Sequence, residues 1–318
     1  MGLALVKSVS VLMACYQGAA YLPEQLASLA AQDDPCFRVL MQDDGSADDT
    51  LSLLQAQAHA DRRFSLAAEG GGRFGAIGNF LSLLRQDTAD YTALCDQDDR
   101  WEPQRLSRCR EALAAAEARY GEATPLMVHS DCRLTDEAGA VLHESFFRHQ
   151  GWDPATTTLP RLLVQNNVTG CTLMMNAALR RLVCQYGNPD SMVMHDWFIA
   201  LTAAAFGRIV FLDEPLVRYR QHGHNVQGAS QAGLTRRGLR ALSAWKKGKA
   251  RIAMTYRHAR AFLQAFDGGA ALPDSARDTL ERYLATETMP KPRRVWAVMR
   301  GGYTMQSPIT RLGQAFFG

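Results

Sequence analysis

Tyr91-Thr92-Ala93-Leu94-Cys95 runs directly into Asp96-Gln97-Asp98-Asp99. The apolar run reads as a strand, and three carboxylates at a strand's end repel one another unless a cation holds them. A divalent metal is the simplest such cation, because Mg2+ and Mn2+ take oxygen ligands from one or two protein carboxylates together with substrate phosphates. The alternative is a solvated turn that caps a helix, since Asp99 precedes Trp101-Glu102-Pro103 and proline suits a helix's first turn. A second acidic cluster separates the two readings. Phe37-Arg38-Val39-Leu40-Met41-Gln42 also reads as a strand and ends in Asp43-Asp44-Gly45-Ser46. Two strand ends thus carry acids, and open α/β sheets bind ligands in the crevice outside the carboxyl ends of their strands.

Around these two strands, residues 1–130 alternate strand-like and helix-like segments at βαβ spacing, which predicts a parallel sheet flanked by helices. Expected strands are Val9–Ala14, Phe37–Met41, Phe64–Ala67, Tyr91–Cys95 and Leu126–Ser130; expected helices are Tyr21–Ala31, 47–58, Gly75–Gln86 and 103–119. Ser46, with Asp48 and Asp49 in the next turn, suits a helix start, where the dipole favours negative charge. Beyond 131 the pattern becomes irregular. Thr135-Asp136-Glu137-Ala138-Gly139 reads as a turn between short strands and Pro154–Pro160 as a loop, followed by helices over 159–166, 177–186 and 195–206 and a strand over Ile209–Leu212 before Glu214-Pro215.

The chain has 318 residues and a net charge of +3, which conceals an asymmetry. Residues 1–229 hold 19 basic and 27 acidic side chains, whereas residues 230–318 hold 16 and 5. The second segment reads as basic helices over 234–266, 275–286 and 293–300, so a boundary is expected near 229. Solvated helix faces, a nucleic-acid patch and an anionic lipid surface are its three readings. Trp245, Tyr256, Phe262, Trp296, Phe316 and Phe317 interleave with the charge and no nucleic-acid motif is present, which favours lipid over nucleic acid. No run of about 18 apolar residues predicts a spanning helix, and no secretory signal pattern is visible, so a cytoplasmic protein, peripheral on the inner face of the membrane, is expected. The seven cysteines, at 15, 36, 95, 109, 132, 171 and 184, are scattered and never form Cys-x-x-Cys, which argues against a disulfide framework and a zinc site.

One motif points elsewhere. Gly70-Gly71-Gly72-Arg73-Phe74-Gly75 spells a dinucleotide fingerprint between a strand-like and a helix-like segment, with Asp96 about 20 residues on. An NAD(P)-dependent oxidoreductase of the Rossmann type is therefore a rival. Its preceding strand is short and ends in Glu69, and it leaves Asp43, Asp44, Asp98 and His222 without a role.

Val9-Ser10-Val11-Leu12-Met13-Ala14-Cys15-Tyr16-Gln17-Gly18, Asp43-Asp44-Gly45-Ser46, Asp96-Gln97-Asp98-Asp99, Gly170-Cys171-Thr172, His195-Asp196-Trp197 and Tyr219-Arg220-Gln221-His222-Gly223-His224-Asn225 together resemble a family-2 glycosyltransferase of the GT-A fold, similar to bacterial rhamnosyltransferase-type enzymes that build surface polysaccharides. The resemblance covers residues 8–228 and implies a Rossmann-like nucleotide half, about 1–131, merged with an acceptor half, about 132–229, before the basic tail of 230–318. It implies a donor sugar on UDP or dTDP, Mg2+ or Mn2+ as cofactor, and a glycan or lipid-linked acceptor. A catalytically silent glycan- or nucleotide-binding module on the same fold is the third reading.

Residue by residue, Asp98 is the first choice for a metal that bridges both phosphates, with Asp96 at the ribose or a metal-bound water and Asp99 able to share either duty. By resemblance Asp43 or Asp44 accepts the pyrimidine N–H, Tyr16 stacks on the base and Ala14 lines the pocket. Cys15 and Gln17 stand where Thr or Ser and Asn are commoner, which leaves uridine and thymidine both open. Asp196 inherits the general base, which makes the reaction inverting, although a helix dipole there lowers an acid's pKa and weakens it as a base. His222 closes over the diphosphate or completes the metal shell; Arg218 and Arg220 flank it with guanidinium forks that match phosphate oxygens. Trp101 and Trp197 are candidates to stack on an acceptor sugar.

Overall fold

The computed structural model describes residues 7–68, 72–223, 239–267 (side chains from 248), 272–307, 310, 311, 313 and 314. In chain order the elements are β1 Val9–Cys15, α1 Leu22–Ala30, β2 Phe37–Asp43, α2 Thr50–Ala60, β3 Phe64–Leu66, α3 Gly75–Gln86, β4 Tyr91–Asp96, β5 Arg100–Trp101, α4 Arg105–Tyr120, β6 Leu126–Thr135 and β7 Val141–His143. There follow α5 Phe146–Gln150, α6 Leu159–Val164, β8 Leu173–Asn176, α7 Ala177–Tyr186, α8 His195–Phe206, β9 Arg208–Arg220, α9 Leu239–Ala265, α10 Asp274–Ala285 and α11 Lys291–Arg300.

One mixed sheet runs β3-β2-β1-β4-β8-β6-β9-β5, with β7 paired to β6. Its first four strands are parallel, as the alternation predicts. The parallel run then stops. β8, four residues long and absent from the expected elements, inserts antiparallel between β4 and β6. The expected strand before Glu214-Pro215 is longer as well: β9 continues through Pro215, and its register against β6 jumps from Ser130 opposite Leu212 to Asp131 opposite Pro215. Asp213 and Glu214 form a bulge there, which is where a strand tolerates proline.

Side chains alternate across a strand, and β1 sorts the molecule into two layers. Leu12 joins an apolar cluster with α3, α6, α7 and α8, while Val11 and Met13 join a second cluster with α1 and α4. The first cluster also contains Tyr256, Ala259, Phe262, Phe266, Leu280, Tyr283 and Val298. The basic helices are therefore built into the core that covers one face of the sheet. This corrects the lipid-facing assignment of Tyr256 and Phe262, which are buried. The expected roles of Trp245, Phe316 and Phe317 fall on side chains outside the described residues, as does His224.

Candidate active site

β1 lies between β2 and β4, with Cys15 opposite Asp43 and Ala14 opposite Asp96. Because β2 and β3 lie on one side of β1 and β4 on the other, the β1/β4 seam is a topological switch point, where such sheets offer a crevice. A cleft of about 1850 Å³ opens at it, lined by Ala14, Tyr16, Asp44, Asp96, Asp98 and Asp196 among others.

One wall of the cleft is built on the loop after β1. Gln97 clamps it: its Oε1 accepts the Tyr16 N–H at 2.7 Å and its Nε2 donates to the Tyr16 carbonyl at 2.8 Å. A Cβ at Gly18 would lie 2.2 Å from Gln97 Oε1, so only glycine admits the clamp. Held this way, Tyr16 is 45% exposed at the cleft, which suits its expected stacking role. Gln17 sits at φ +51, in the left-handed region that Asn tolerates better than Gln. The two neighbouring acids diverge. Asp43 accepts the Gly45 and Ser46 N–H groups and the Ser46 hydroxyl, shaping the turn, and does not line the cleft. Asp44 does line it, and holds the Phe74 and Gly75 N–H groups at 2.6 and 2.9 Å.

That last contact bears on the dinucleotide rival. The start of α3, where a Rossmann pyrophosphate would sit, is taken by the Asp44 carboxylate, and β3 is an edge strand remote from the switch point. Gly70 and Gly71 of the motif lie outside the described residues.

At the end of β4, Asp98 Oδ2 meets His222 Nε2 at 2.8 Å, and the His222 ring stacks on Tyr21 with centroids 4.7 Å apart. A carboxylate and an imidazole at a cleft wall suit Mg2+ or Mn2+ with phosphate oxygens completing the shell. A second cluster, Asp96, Asp99 and Cys171, has ligand atoms within 4.8 Å of one another. It suits such an ion less well: burial holds the Cys171 thiol well above its ordinary pKa, so it stays a neutral sulfur. Asp99 is 0% exposed and does not line the cleft, and burial, then Asp98, then Asp96 raise its pKa.

On the opposite wall, α8 starts at His195 and presents Asp196 in its first turn. Burial pushes the Asp196 carboxyl up to about 7, against opposing hydrogen bonds from the Trp197 and Gly170 backbone and the Asn166 side chain. Desolvation thus outweighs the helix dipole, reversing the expected direction and leaving an acid poised for proton transfer near neutral pH. A Cβ at Gly170 would lie 3.2 Å from His195 Nε2 and 3.5 Å from Asp196 Cβ, so glycine lets this wall close. The pKa of Asp96 is raised by burial, then by Asp98, then by Asp196, so acids from both halves of the chain feel one another across one cleft.

Comparison with known proteins agrees with this geometry. The profile described as "Glycosyl transferase family 2" matches residues 10–182, more than half of the chain. The chain belongs to glycosyl transferase family 2. Relatives of this glycosyltransferase include the dTDP-rhamnosyl transferase RfbG of Shigella flexneri, 24% identical over 69% of this chain and 74% of its own length. A Nostoc protein named only as a glycosyltransferase is 26% identical over 92% of this chain and 87% of its own. Among solved structures, S. aureus TarS in complex with UDP superposes with a TM-score of 0.56 at 17% identity, covering 98% of this chain and 88% of that one. The mannosyltransferase PcManGT of Pyrobaculum calidifontis, in complex with GDP-Man and Mn2+, gives 0.51 at 18% identity, covering 93% and 73%. The fold is GT-A.

Several expected residues of the glycosyltransferase lie elsewhere. Trp101 is 2% exposed under the Arg105 guanidinium, which stacks 3.4 Å from its ring centroid, so it has no face for a sugar. Trp197 borders the cleft, but its Nε1 donates to the Leu162 carbonyl at 2.6 Å and its body is packed in the core. Arg218 pairs with Glu102 at 2.9 Å instead of facing the cleft. Arg220 is buried, bonded to Glu24, the Asp98 carbonyl and the Glu137 carbonyl; it holds the Asp98 loop and is not presented to phosphate. Sequence reasoning missed Gln97, Asn166, Arg251 and Arg257, all on the cleft. Gln97 was legible as the one amide between acids; the arginines carried no local signal.

Proposed function

We propose that the chain is a metal-dependent, inverting glycosyltransferase that moves a hexose or deoxyhexose from a UDP- or dTDP-linked donor to a surface glycan, L-rhamnose being the first sugar to test. The observation that carries this reading is the opposition of two acid sites across one cleft: the Asp98–His222 pair at the end of β4, and Asp196 at the start of α8 with its pKa pushed up to about 7. The name of the Shigella relative supports rhamnose and a dTDP donor, and the UDP of TarS supports a pyrimidine nucleotide.

In this mechanism Tyr16 stacks on the base, Asp44 accepts its ring N–H, Ala14 leaves room for the ring and Asp96 holds the ribose. Asp98 and His222 would hold Mg2+ or Mn2+, which supplies charge neutralisation to the leaving diphosphate. Asp196 accepts the proton of the acceptor hydroxyl as that oxygen attacks the anomeric carbon from the face opposite the diphosphate. Attack from that side inverts the carbon. Gln97 and Arg220 bind neither substrate; they fix the loops that carry Tyr16 and Asp98.

Among the described residues no helix is long and apolar enough to cross a membrane. A peripheral association is supported, among the described residues, by α11, where Arg293, Trp296, Met299 and Arg300 recur every three or four residues on one exposed face. Lipid-linked acceptors would be met there.

Thermal shift against dTDP-rhamnose, UDP-glucose and UDP-GlcNAc, with and without Mn2+, tests the donor, because binding to the folded state alone raises the melting temperature. A metal-dependent shift with one of them is expected. A shift with NAD and none with any nucleotide sugar would overturn the reading.

A further inference from the structure

We propose that Arg251 and Arg257 form a subsite for an oxyanion, phosphate or carboxylate, carried by the acceptor. The inference rests on the donor-and-acceptor reading of the cleft and adds the acceptor's chemical class.

Both arginines stand on α9. Its direction is set against α8 by three ring contacts: His258 on Trp197 with centroids 4.6 Å apart, Phe262 on Phe198 at 5.3 Å, and Phe266 on Phe206 at 4.9 Å. The two helices therefore run the same way, away from Asp196. Residues that precede His258 continue past the start of α8, and Arg251, two turns earlier, stands about 10 Å further along the axis. That overhang covers the Asp196 side of the cleft, and Ala250, Arg251, Met254 and Arg257 line it. At 3.6 residues per turn these four fall within an arc of about 120°. The adjoining stripe, His258, Ala259, Phe262 and Phe266, is buried and fixes the helix in place.

Each guanidinium is a permanent cation whose planar fork matches an oxyanion. Among the described residues neither Arg251 nor Arg257 has a hydrogen-bond or ion-pair partner, whereas Arg260 on the same helix pairs with Glu287. Arg251 is open to the cleft's solvent yet ringed by protein, and that desolvation lowers its pKa. Both arginines are exposed to the cleft, and an anion bound there would supply the counter-charge that neither has among the described residues. The donor diphosphate is assigned to the strand-end wall of Asp98 and His222, whereas the arginines stand on α9, which packs on α6, α8 and α10. The acceptor approaches from the Asp196 side, so the anion belongs to it. Arg251 and Arg257 are six residues apart, about 9 Å along the axis, a span that two long guanidinium side chains can close on one oxyanion.

The test loads full-length protein with UDP and Mn2+ and titrates it, by ligand-observed NMR, with glucose 1-phosphate, glucuronate and glucose. At least one anionic probe is expected to bind the nucleotide-loaded protein, with glucose failing to bind. The double variant Arg251→Gln/Arg257→Gln should weaken that binding about tenfold or more while its melting temperature and UDP affinity stay unchanged. Preference for the sugar phosphate identifies a phosphate-bearing acceptor; preference for glucuronate identifies an acidic sugar. Equal binding by variant and wild type, or binding only through displacement of UDP, overturns the subsite. Should UDP fail to bind wild type while arginine-dependent anion binding persists, the donor reading fails and the subsite stands.

Discussion

Asp98 Oδ2 and His222 Nε2 lie 2.8 Å apart although 124 residues separate them in the chain. The contact ties the loop after β4 to the end of β9. Arg220 reinforces it, donating to the Asp98 carbonyl at 2.9 Å and, from its backbone N–H, to Asp99 Oδ1 at 3.2 Å. Two strands of opposite origin thus present one oxygen and one nitrogen donor to the same point.

Nucleoside diphosphate binding should therefore need a divalent cation. Calorimetry with UDP or dTDP is expected to show tight binding in Mn2+ and little in EDTA, because otherwise the diphosphate faces unscreened carboxylates. Asp98→Asn and His222→Ala should each weaken it, by about tenfold to a hundredfold for loss of a metal ligand or its orienting partner. Equal affinity with and without metal would remove the role assigned to the pair.

Asp196→Asn should leave donor binding intact and lower turnover by about a hundredfold or more, the usual contribution of a general base. The wild-type rate should also climb with pH and level off above about 7, where the carboxyl has lost its proton. Stopped-flow or coupled assays across that range check both. A variant with unchanged turnover would reduce Asp196 to a helix cap.

The same carboxyl predicts an opposite effect on stability. Unfolded, Asp196 titrates near the ordinary carboxyl value of 3.8; folded, at about 7. Below the lower value it is neutral in both states. As pH rises between the two values, only the unfolded state releases the proton, so stability falls, and above the upper value the loss is constant. Asp196→Asn escapes this loss. Its melting temperature should exceed wild type by an amount that grows from about pH 4 to about pH 7 and then holds, each pKa unit being worth about 1.4 kcal/mol. A difference that shrinks with rising pH would contradict the raised pKa.

The strand-end acids were legible in the sequence because they are a local pattern: an apolar run, then carboxylates, twice. Helices such as α3, α7 and α8 were legible to the residue, since their apolar spacing and flanking turns lie within one window. What escaped was non-local. β8 is four residues whose pairing comes entirely from β4 and β6. The division of labour between Asp43 and Asp44, the burial of Asp99 and of Trp101, and the direction of the Asp196 shift all depend on which segments of distant sequence close over them. The basic tail illustrates the same limit. Its composition separates it from the rest and suggested a boundary near 229, yet its apolar stripe is part of the common core.

The tail's outer surface carries the last prediction. Removing the tail would strip Tyr256, Phe262 and Phe266 from the core, so a truncated chain cannot report on membrane binding. Point variants on α11 can. Trp296 is 63% exposed with the Arg300 guanidinium 5.1 Å from its ring centroid, and Arg293 and Met299 share the exposed face. Among the described residues, Arg277 pairs with Asp267 and Arg282 with Asp278, whereas on α11 aromatic and positive groups coincide in one exposed stripe. Each basic residue near an anionic bilayer is worth about 1 kcal/mol, and the attraction is screened beyond a Debye length. Full-length protein should therefore float with phosphatidylserine vesicles at low salt and detach as salt is raised. Trp296→Ser combined with Arg293→Gln should weaken flotation about tenfold without changing nucleotide binding, since neither residue touches the cleft. Full-length protein that ignores anionic vesicles at low salt would refute the membrane reading and leave the exposed face of α11 as a surface for solvent alone.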